Sequence, residues 1–377
     1  MKHILVCCSV LLLFTSTSLN AAERLDEKLA TPDTEAKLSW YNFRLLDAEG
    51  QGWTETKSDY DRLPAKAEKL VRPAVWSLSR HSSGICARFV TDATTLHVRW
   101  ELTSANLALP HMPATGVSGV DLYVKTDSGK WRWLANGRPS AQKNSSRLFS
   151  GIPAGEREFM LYLPLYNGVT KVEIGIPQGS LLAKANARPA GHNKPLVFYG
   201  TSITHGACAS RPGMVHTAIL GRWFNHPVIN LGFSGNGRME AEVAQLMAEI
   251  DAAVYIIDCL PNITAADVSS RTEPLVKILR TAHPDTPILL VEDRNYPDSF
   301  LIESKRQRNL TSQAALKAVY ASLKKSGVTG LYYLEGEKLL GADGEDTVDT
   351  SHPTDLGFMR HAEAFREVLG PILKLKR

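Results

Sequence analysis

The chain has 377 residues, a length for which about two to three domains are expected, and 44% of its residues are hydrophobic while 22% are charged. This composition is typical of folded proteins and excludes a disordered chain, a collagen-like chain and a multi-span membrane protein. The formal net charge is only +4. It gives no reason to expect a nucleic-acid partner, because such proteins usually carry a clustered basic face.

The N-terminus has the order of a secretory signal peptide. Lys2 and His3 precede an apolar run over residues 4–14, and small residues follow up to Ala21 and Ala22. The run is too short to span a bilayer, although a short membrane anchor is an alternative. We therefore expect residues 1–22 to be removed after Ala21 or Ala22. The mature protein is predicted to be secreted or periplasmic, without a membrane partner.

The mature chain keeps three cysteines, Cys86, Cys208 and Cys259. This odd and low number does not indicate a disulfide framework. Cys208 and Cys259 could pair in an oxidising compartment. The sequence favours three buried thiols and leaves the pairing open.

Residues 23–183 are predicted to form an N-terminal β-sandwich domain, with a polar leading arm over residues 23–70. Apolar residues alternate with polar ones in this region, and Gly, Asn, Pro and Asp clusters separate the runs, which is typical of short antiparallel strands. The clearest such runs are centred on Val98, Leu122, Leu161 and Ile174. The pattern favours a jelly-roll-like sandwich. Its Tyr123, Trp131 and Trp133 could stack on sugars, although packing inside the protein is favoured.

Residues 184–194 form a polar linker, and the pattern then changes over residues 195–377. Strand-like apolar runs alternate with helical periods, which predicts an α/β domain of three layers, with helices on both faces of a five-stranded parallel sheet. The five runs are Leu196–Tyr199, Val228–Leu231, Ala253–Ile257, Ile288–Val291 and Leu331–Leu334.

The chemistry is expected where the parallel strands end. Ser202, Gly235 and Asn262 follow the first three runs, and Asp349 lies three residues before His352 ahead of the last helix. Acyl transfer needs a nucleophile, a base and a carboxylate that orients the base, together with donors for the oxyanion. We assign these catalytic roles to Ser202, His352 and Asp349. The amides of Ser202 and Gly235 and the side chain of Asn262 are the predicted oxyanion donors.

Three further residues are candidate substrate contacts. His205 lies close to Ser202 in the sequence, but a cleft-lining or helix-capping role is favoured over a catalytic one. Arg294 and Tyr296 follow the fourth run, where an internal salt-bridged loop is an equally good interpretation.

These motifs resemble the SGNH (GDSL-type) hydrolases, whose defining quartet is Ser, Gly, Asn and His in this order. The resemblance implies the roles given above for Ser202, Gly235, Asn262 and His352, and it matches Asp349 to the Asp-x-x-His of the family. Two motifs depart from the family pattern. Gly200-Thr201-Ser202-Ile203 replaces Gly-Asp-Ser-Leu, and Leu260-Pro261-Asn262-Ile263 replaces Gly-x-Asn-Asp.

A second resemblance lies upstream. Gly119-Val120-Asp121-Leu122-Tyr123 is similar to the Gly-x-Asp-Leu-Tyr signature of a β-rich module that precedes some SGNH hydrolases. Related exported two-domain proteins are often esterases that remove acetyl groups from carbohydrates. The resemblance therefore implies an exported serine esterase that acts on short-chain, above all acetyl, esters of a small molecule or carbohydrate.

Three other functions are alternatives to the esterase. A thioesterase or lipase is the nearest enzymatic alternative, and a non-catalytic carbohydrate-binding protein is another. A nucleotide-binding reading rests on Gly232, Gly235 and Gly237 with Asp258, but the glycine spacing is inverted and the catalytic residues are left unexplained. No His-Glu-x-x-His or Cys-x-x-Cys motif occurs, so neither a metal nor another cofactor is predicted. The oligomeric state stays open.

Overall fold

A computed structural model of the protein describes residues 23–374. The predicted signal peptide over residues 1–22 lies outside the described residues. Among the helices of residues 23–374, none combines the length and the apolar character that a bilayer crossing requires.

Two antiparallel five-stranded sheets build the N-terminal part, as predicted. One sheet has the order β1-β2-β9-β4-β7 and the other β10-β3-β8-β5-β6, and apolar side chains of both fill one core. The strands are β1 (Thr31–Asp33), β2 (Leu38–Asn42), β3 (Cys86–Thr91), β4 (Thr95–Leu102), β5 (Val120–Lys125), β6 (Trp131–Gly137), β7 (Lys143–Ser150), β8 (Arg157–Tyr162), β9 (Val169–Pro177) and β10 (Leu182–Lys184).

The sandwich strands that the sequence predicted, β3, β4, β5, β8 and β9, are the ones with long buried stretches, and β4 alternates strictly. In β4, Leu96, Val98 and Trp100 are fully buried while the residues between them are half-exposed. The sequence did not predict β1, β2, β6, β7 and β10. The longest of these are β6 and β7. Each is the last strand of its sheet, and β6 is half-buried or exposed along most of its length. An edge strand of this kind lacks the alternation that the prediction depends on.

The second part is the predicted three-layer α/β domain, in which the parallel sheet has the order β12-β11-β13-β14-β15. Its strands are β11 (Leu196–Gly200), β12 (Val228–Gly232), β13 (Val254–Asp258), β14 (Ile288–Val291) and β15 (Leu331–Leu334). The α-helices of the described chain are α1 (Pro73–Ser79), α2 (Ala114–Val117), α3 (Ser202–His205), α4 (His216–Phe224), α5 (Ala241–Met247), α6 (Ala265–Ala282), α7 (Glu303–Lys325) and α8 (Asp355–Ile372).

The leading arm is shared between the two parts. Its β1 and β2 join a sandwich sheet, whereas Leu63 and Ala67 are fully buried in the core beneath one face of the parallel sheet. The packing therefore crosses the predicted domain boundary. The arm lacks a regular apolar period, so this split could not be predicted from the sequence.

The three cysteines of the described chain, Cys86, Cys208 and Cys259, are buried free thiols. This agrees with the favoured sequence interpretation, and the alternative pairing of Cys208 with Cys259 is not formed.

Candidate active site

Ser202 lies at the carboxyl end of the sheet, where β11 turns directly into α3. The turn is tight, because a Cβ at Gly200 would lie 2.0 Å from the Thr204 hydroxyl oxygen. Thr201 caps the helix, since its side-chain oxygen accepts the Ile203 amide at 3.3 Å. As the first residue of α3, Ser202 has an amide without an acceptor inside the helix. The turn therefore presents both the hydroxyl and the amide of Ser202 at the sheet edge.

His352 sits on a tight loop before α8. The loop is closed by the Val348 amide, which donates to the carbonyl of His352 at 2.9 Å. Asp349 Oδ1 accepts the amides of Ser351 at 3.0 Å and of His352 at 2.7 Å. Thr350 takes a left-handed conformation with φ 67°, which is uncommon outside glycine. These bonds hold the carboxylate and the imidazole side by side.

The three predicted catalytic side chains meet in one hydrogen-bonded row. Ser202 Oγ lies 2.8 Å from His352 Nε2, and His352 Nδ1 lies 2.7 Å from Asp349 Oδ2. Partial burial acts to raise the pKa of Asp349, but the hydrogen bonds from the backbone and ring of His352 outweigh it, so the pKa is lowered. An ionised Asp349 accepts the Nδ1 proton, and Nε2 is then free to accept the proton of Ser202.

Gly235 lies on the turn after β12 and has φ +68°. A Cβ at this position would meet nothing within 4 Å, whereas one at Gly237 would lie 1.8 Å from the carbonyl oxygen of Gly200. Gly237 therefore allows the turn to pack against the end of β11, and Gly235 faces open space. Arg72, directly before α1, holds this turn, since its guanidinium donates to Asn236 Oδ1 at 2.7 Å.

Asn262 ends a short 3₁₀ helix after β13. The side-chain amide of Asn262 is oriented so that its oxygen accepts hydrogen bonds from two backbone amides. These are the amides of Asn236, at 3.1 Å, and Gly237, at 3.3 Å. This orientation ties Asn262 to the Gly235 turn and places its NH₂ group on the other side of the amide. Arg308 supports the segment from behind by donating to the Pro261 carbonyl at 2.6 Å.

His205 does not line an open cleft. It is fully buried, and its ring stacks on the ring of Tyr166 with 4.1 Å between the ring centroids. Its Nε2 forms a hydrogen bond of 2.8 Å with the Leu165 carbonyl oxygen. Burial and the nearby charge of Arg62 hold the pKa of His205 well below its ordinary range. The predicted substrate contact by His205 does not fit this position, because a neutral, enclosed ring joins the two parts of the protein instead.

Arg294 is also buried, with 1% of its surface exposed. The predicted contact of Arg294 with substrate does not fit this position, because a substrate could not reach the side chain. It pairs with Asp293 and donates to Ser351 O at 3.1 Å and to Ser351 Oγ at 2.5 Å. The internal ion pair weighed as the alternative is thus present, and it supports the loop of His352. Tyr296 is half-buried, and the Arg294 guanidinium carbon lies 4.2 Å from the centroid of its ring. The contact of Tyr296 with substrate stays a prediction.

The Gly-x-Asp-Leu-Tyr motif binds the second domain directly. Asp121 is fully buried, and its Oδ2 accepts the Gly213 amide and the Arg211 guanidinium, both at 2.8 Å. Arg211 also donates to the Tyr123 hydroxyl at 2.6 Å, and Arg222 lies 3.9 Å from the Tyr123 ring. Tyr123 therefore serves packing, as favoured. The sequence marked this motif but not its partners.

Two residues near the catalytic row were missed by the sequence analysis. The His111 ring, from the N-terminal part, lies 5.6 Å from the ring of His352. The Tyr166 hydroxyl donates to the Ser202 carbonyl at 3.2 Å. Neither residue belongs to a motif, and no signal in the sequence links either of them to Ser202.

The chain matches two known family models and several solved structures. The model of the GDSL-like lipase/acylhydrolase family matches residues 193–370, and the model of the GxDLY N-terminus of SGNH-type esterases matches residues 38–182. A crystal structure described as a GDSL-like lipase from Bacteroides ovatus is 33% identical, covers 90% of this chain and 99% of its own, and has a TM-score of 0.84. The chain belongs to the GDSL-like (SGNH) hydrolase family. It is an ester-hydrolysing enzyme.

More distant structures share the fold of this GDSL-like hydrolase. A salicylyl-acyltransferase from a tetracycline biosynthetic pathway is 20% identical, with a TM-score of 0.69 over 92% of this chain and 98% of its own. A family two carbohydrate esterase from Clostridium thermocellum, in complex with cellohexaose, is 16% identical, with a TM-score of 0.54 over 78% and 93% of the two chains. The search of curated proteins returned no match.

Proposed function

We propose that this GDSL-like hydrolase is an exported serine esterase that removes acetyl groups from carbohydrate esters. The observation that carries the proposal is the hydrogen-bonded row of Ser202, His352 and Asp349, with distances of 2.8 Å and 2.7 Å. A nucleophile, a base and an orienting carboxylate within this reach are the requirement for acyl transfer through serine. A carbohydrate-binding protein without activity would not need this row.

The first half of the reaction forms an acyl-enzyme. Ser202 Oγ attacks the ester carbonyl carbon while its proton passes to His352 Nε2. The carbonyl oxygen becomes an oxyanion in the tetrahedral intermediate. Its collapse breaks the bond to the alcohol oxygen, which leaves with the proton from His352. Asp349 stays ionised throughout and stabilises the imidazolium.

The second half returns the enzyme to its starting state. A water molecule gives its proton to His352 Nε2 and attacks the acyl carbon. The second tetrahedral intermediate then releases the carboxylic acid, and Ser202 Oγ recovers its proton from His352.

We assign the oxyanion site to the amides of Ser202 and Gly235 and the side-chain NH₂ of Asn262. The first is a helix N-terminal amide, the second lies on a turn that faces open space, and the third lies on the side of the Asn262 amide away from the bonded oxygen. Donors of this kind, fixed before the reaction starts, favour the charge that develops in the transition state. Loss of one such donor typically costs about 2.7–4 kcal/mol.

Two points support the choice of substrate. Among proteins of this fold, family two carbohydrate esterases bind cellohexaose in their structures. The signal-peptide pattern of residues 1–22 supports export to a compartment where polysaccharide is available.

The proposal is tested with Ser202→Ala. We expect kcat on p-nitrophenyl acetate and acetate release from acetylated xylan to fall by about 10⁴-fold or more, because the acyl-enzyme cannot form. Ser270→Ala, on the exposed surface of α6, is the matched control and keeps wild-type activity. Hydrolysis that survives in Ser202→Ala would rule out the mechanism. Retention on the polysaccharide without acetate release by the wild type would indicate a binding protein.

One observation favours a long-chain acyl hydrolase as the second candidate. Phe300 and Leu301 are 80% and 75% exposed. They belong to a segment that Lys305 ties to the catalytic loop through Thr350 Oγ1 at 2.7 Å. An apolar rim beside the catalytic residues would suit an alkyl chain.

The two candidates differ in their dependence on acyl length. For the acetylesterase, kcat/KM falls from p-nitrophenyl acetate to the decanoate ester, and Phe300→Ser changes neither value. For the long-chain hydrolase, the order is reversed and Phe300→Ser lowers kcat/KM on the decanoate ester alone.

A further inference from the structure

Three side chains with metal-binding atoms meet beside the catalytic row. They are His111 of the N-terminal part, Cys208 after α3 and His352 itself, and one donor atom from each lies within 4.8 Å of the other two. His111 is exposed, His352 is half-buried and Cys208 is buried. They are far apart in the sequence, so the cluster exists only in the folded chain.

The donor set is one that Zn²⁺ prefers. Zinc binds imidazole nitrogen at about 2.0–2.1 Å and thiolate sulfur at about 2.3 Å in tetrahedral sites, so donor atoms in such a site lie about 3.5 Å apart. The cluster is about 1 Å wider than this. The side chain of His111 is exposed, so it can rotate to shorten the distances between the donor atoms. Its ring already lies beside that of His352, with 5.6 Å between the ring centroids.

The surroundings of His352 favour a metal at its outer nitrogen. Nδ1 is engaged by Asp349 Oδ2 at 2.7 Å, which is the carboxylate–histidine arrangement that orients histidine ligands in zinc proteins. Nε2 is left with its lone pair, and this is the nitrogen that bonds Ser202 Oγ at 2.8 Å. A metal ion and the serine proton therefore compete for one lone pair.

We propose that His111, Cys208 and His352 form an inhibitory site for Zn²⁺ or a similar thiophilic divalent cation. The inhibition rests on the proposed function, because it requires His352 to act as the base, whereas binding of the metal does not. The metal takes the lone pair of His352 Nε2, and the thiol proton of Cys208 is released to solvent. The Ser202 hydroxyl is then left without an acceptor for its proton.

The first measurement is direct binding, independent of catalysis. Chelator-treated enzyme is titrated with CoCl₂, and we expect the charge-transfer absorption of a cobalt–thiolate bond. Cys208→Ser abolishes this absorption, and Ser202→Ala keeps it. No cobalt–thiolate absorption in the wild type overturns the site and leaves the esterase proposal standing. Absorption together with unchanged hydrolysis in Ser202→Ala leaves the site standing and overturns the catalytic assignment.

The second measurement is inhibition by ZnCl₂. We expect reversible loss of hydrolysis that EDTA restores, with no effect of MgCl₂, since Mg²⁺ prefers oxygen ligands. His111→Ala removes one exposed ligand, and the zinc concentration for half-inhibition should rise at least about tenfold. His97→Ala, on strand β4 and outside the cluster, is the control and keeps the wild-type value. Equal zinc sensitivity in wild type, His111→Ala and Cys208→Ser would overturn the proposal.

Discussion

At the scale of single residues, the orientation of the His352 ring depends on Asp349. One carboxylate oxygen accepts the backbone amides of Ser351 and His352, and the other lies 2.7 Å from Nδ1. The carboxylate thus fixes the loop and the ring tautomer at the same time. The lowered pKa of Asp349 keeps it ionised at the pH values where histidines titrate.

Asp349→Asn tests this dependence. The Asn oxygen can still accept both backbone amides, but the NH₂ group then faces His352 Nδ1, offers no charge to an imidazolium and stabilises the wrong tautomer. We expect kcat to fall by about 10²–10⁴-fold with little change in KM. An Asp349→Asn enzyme with wild-type kcat would contradict the role of the carboxylate. Asp127→Asn, on a turn of the sandwich, is the control.

At the scale of elements, the loop before α8 is held by contacts from two sides. The buried Arg294 after β14 donates twice to Ser351. On the other side, Asp355 at the start of α8 accepts the Ser210 amide at 2.9 Å. Ser210 neighbours Arg211, which Asp121 of the N-terminal part holds. The position of His352 is therefore set by both parts of the protein.

Arg294→Lys tests the contribution of the first contact. A lysine keeps the charge, but its ammonium cannot reproduce the fork that reaches both oxygens of Ser351. We expect kcat to fall by about 10²-fold at nearly constant KM, since a shift of about 1 Å in a catalytic group has this effect. Arg306→Lys, in an exposed ion pair with Glu303, is the control. Equal kcat values for Arg294→Lys and the wild type would show that the loop is held without Arg294.

At the scale of the whole molecule, stability should depend on buried neutral histidines. His216 is fully buried among Phe198, Phe358 and Phe365, and within residues 23–374 neither of its ring nitrogens has a hydrogen-bond partner. Burial, followed by repulsion from His361, holds the pKa of His216 well below 6.5. The unfolded chain therefore binds a proton before the folded chain does as the pH falls. The free energy of unfolding decreases below about pH 6.5 as a result.

His216→Phe removes this proton linkage, and a phenyl ring suits the aromatic surroundings. Between pH 7.5 and 5.5, the wild type should lose about 1–1.5 kcal/mol more of its unfolding free energy than His216→Phe, measured by urea denaturation. His192→Phe, at a partly exposed position, should leave the pH dependence of the wild type unchanged. The same loss in His216→Phe and wild type would show that His216 does not set the acid sensitivity.

The sequence by itself determined the parallel sheet, five of the ten sandwich strands of the described chain and the order of the catalytic motifs. These features can be recognised from short stretches of sequence. A strand with one buried face has alternating apolar residues, and a strand buried on both faces has a continuous apolar run. The tertiary structure alone decided the roles of His111, Asp121, Arg294 and His205, and the split of the leading arm. Each of these depends on contacts between distant segments, such as Asp121 with Gly213 or His111 with His352. Such contacts leave no periodicity in the sequence, since only the folded chain brings their partners together.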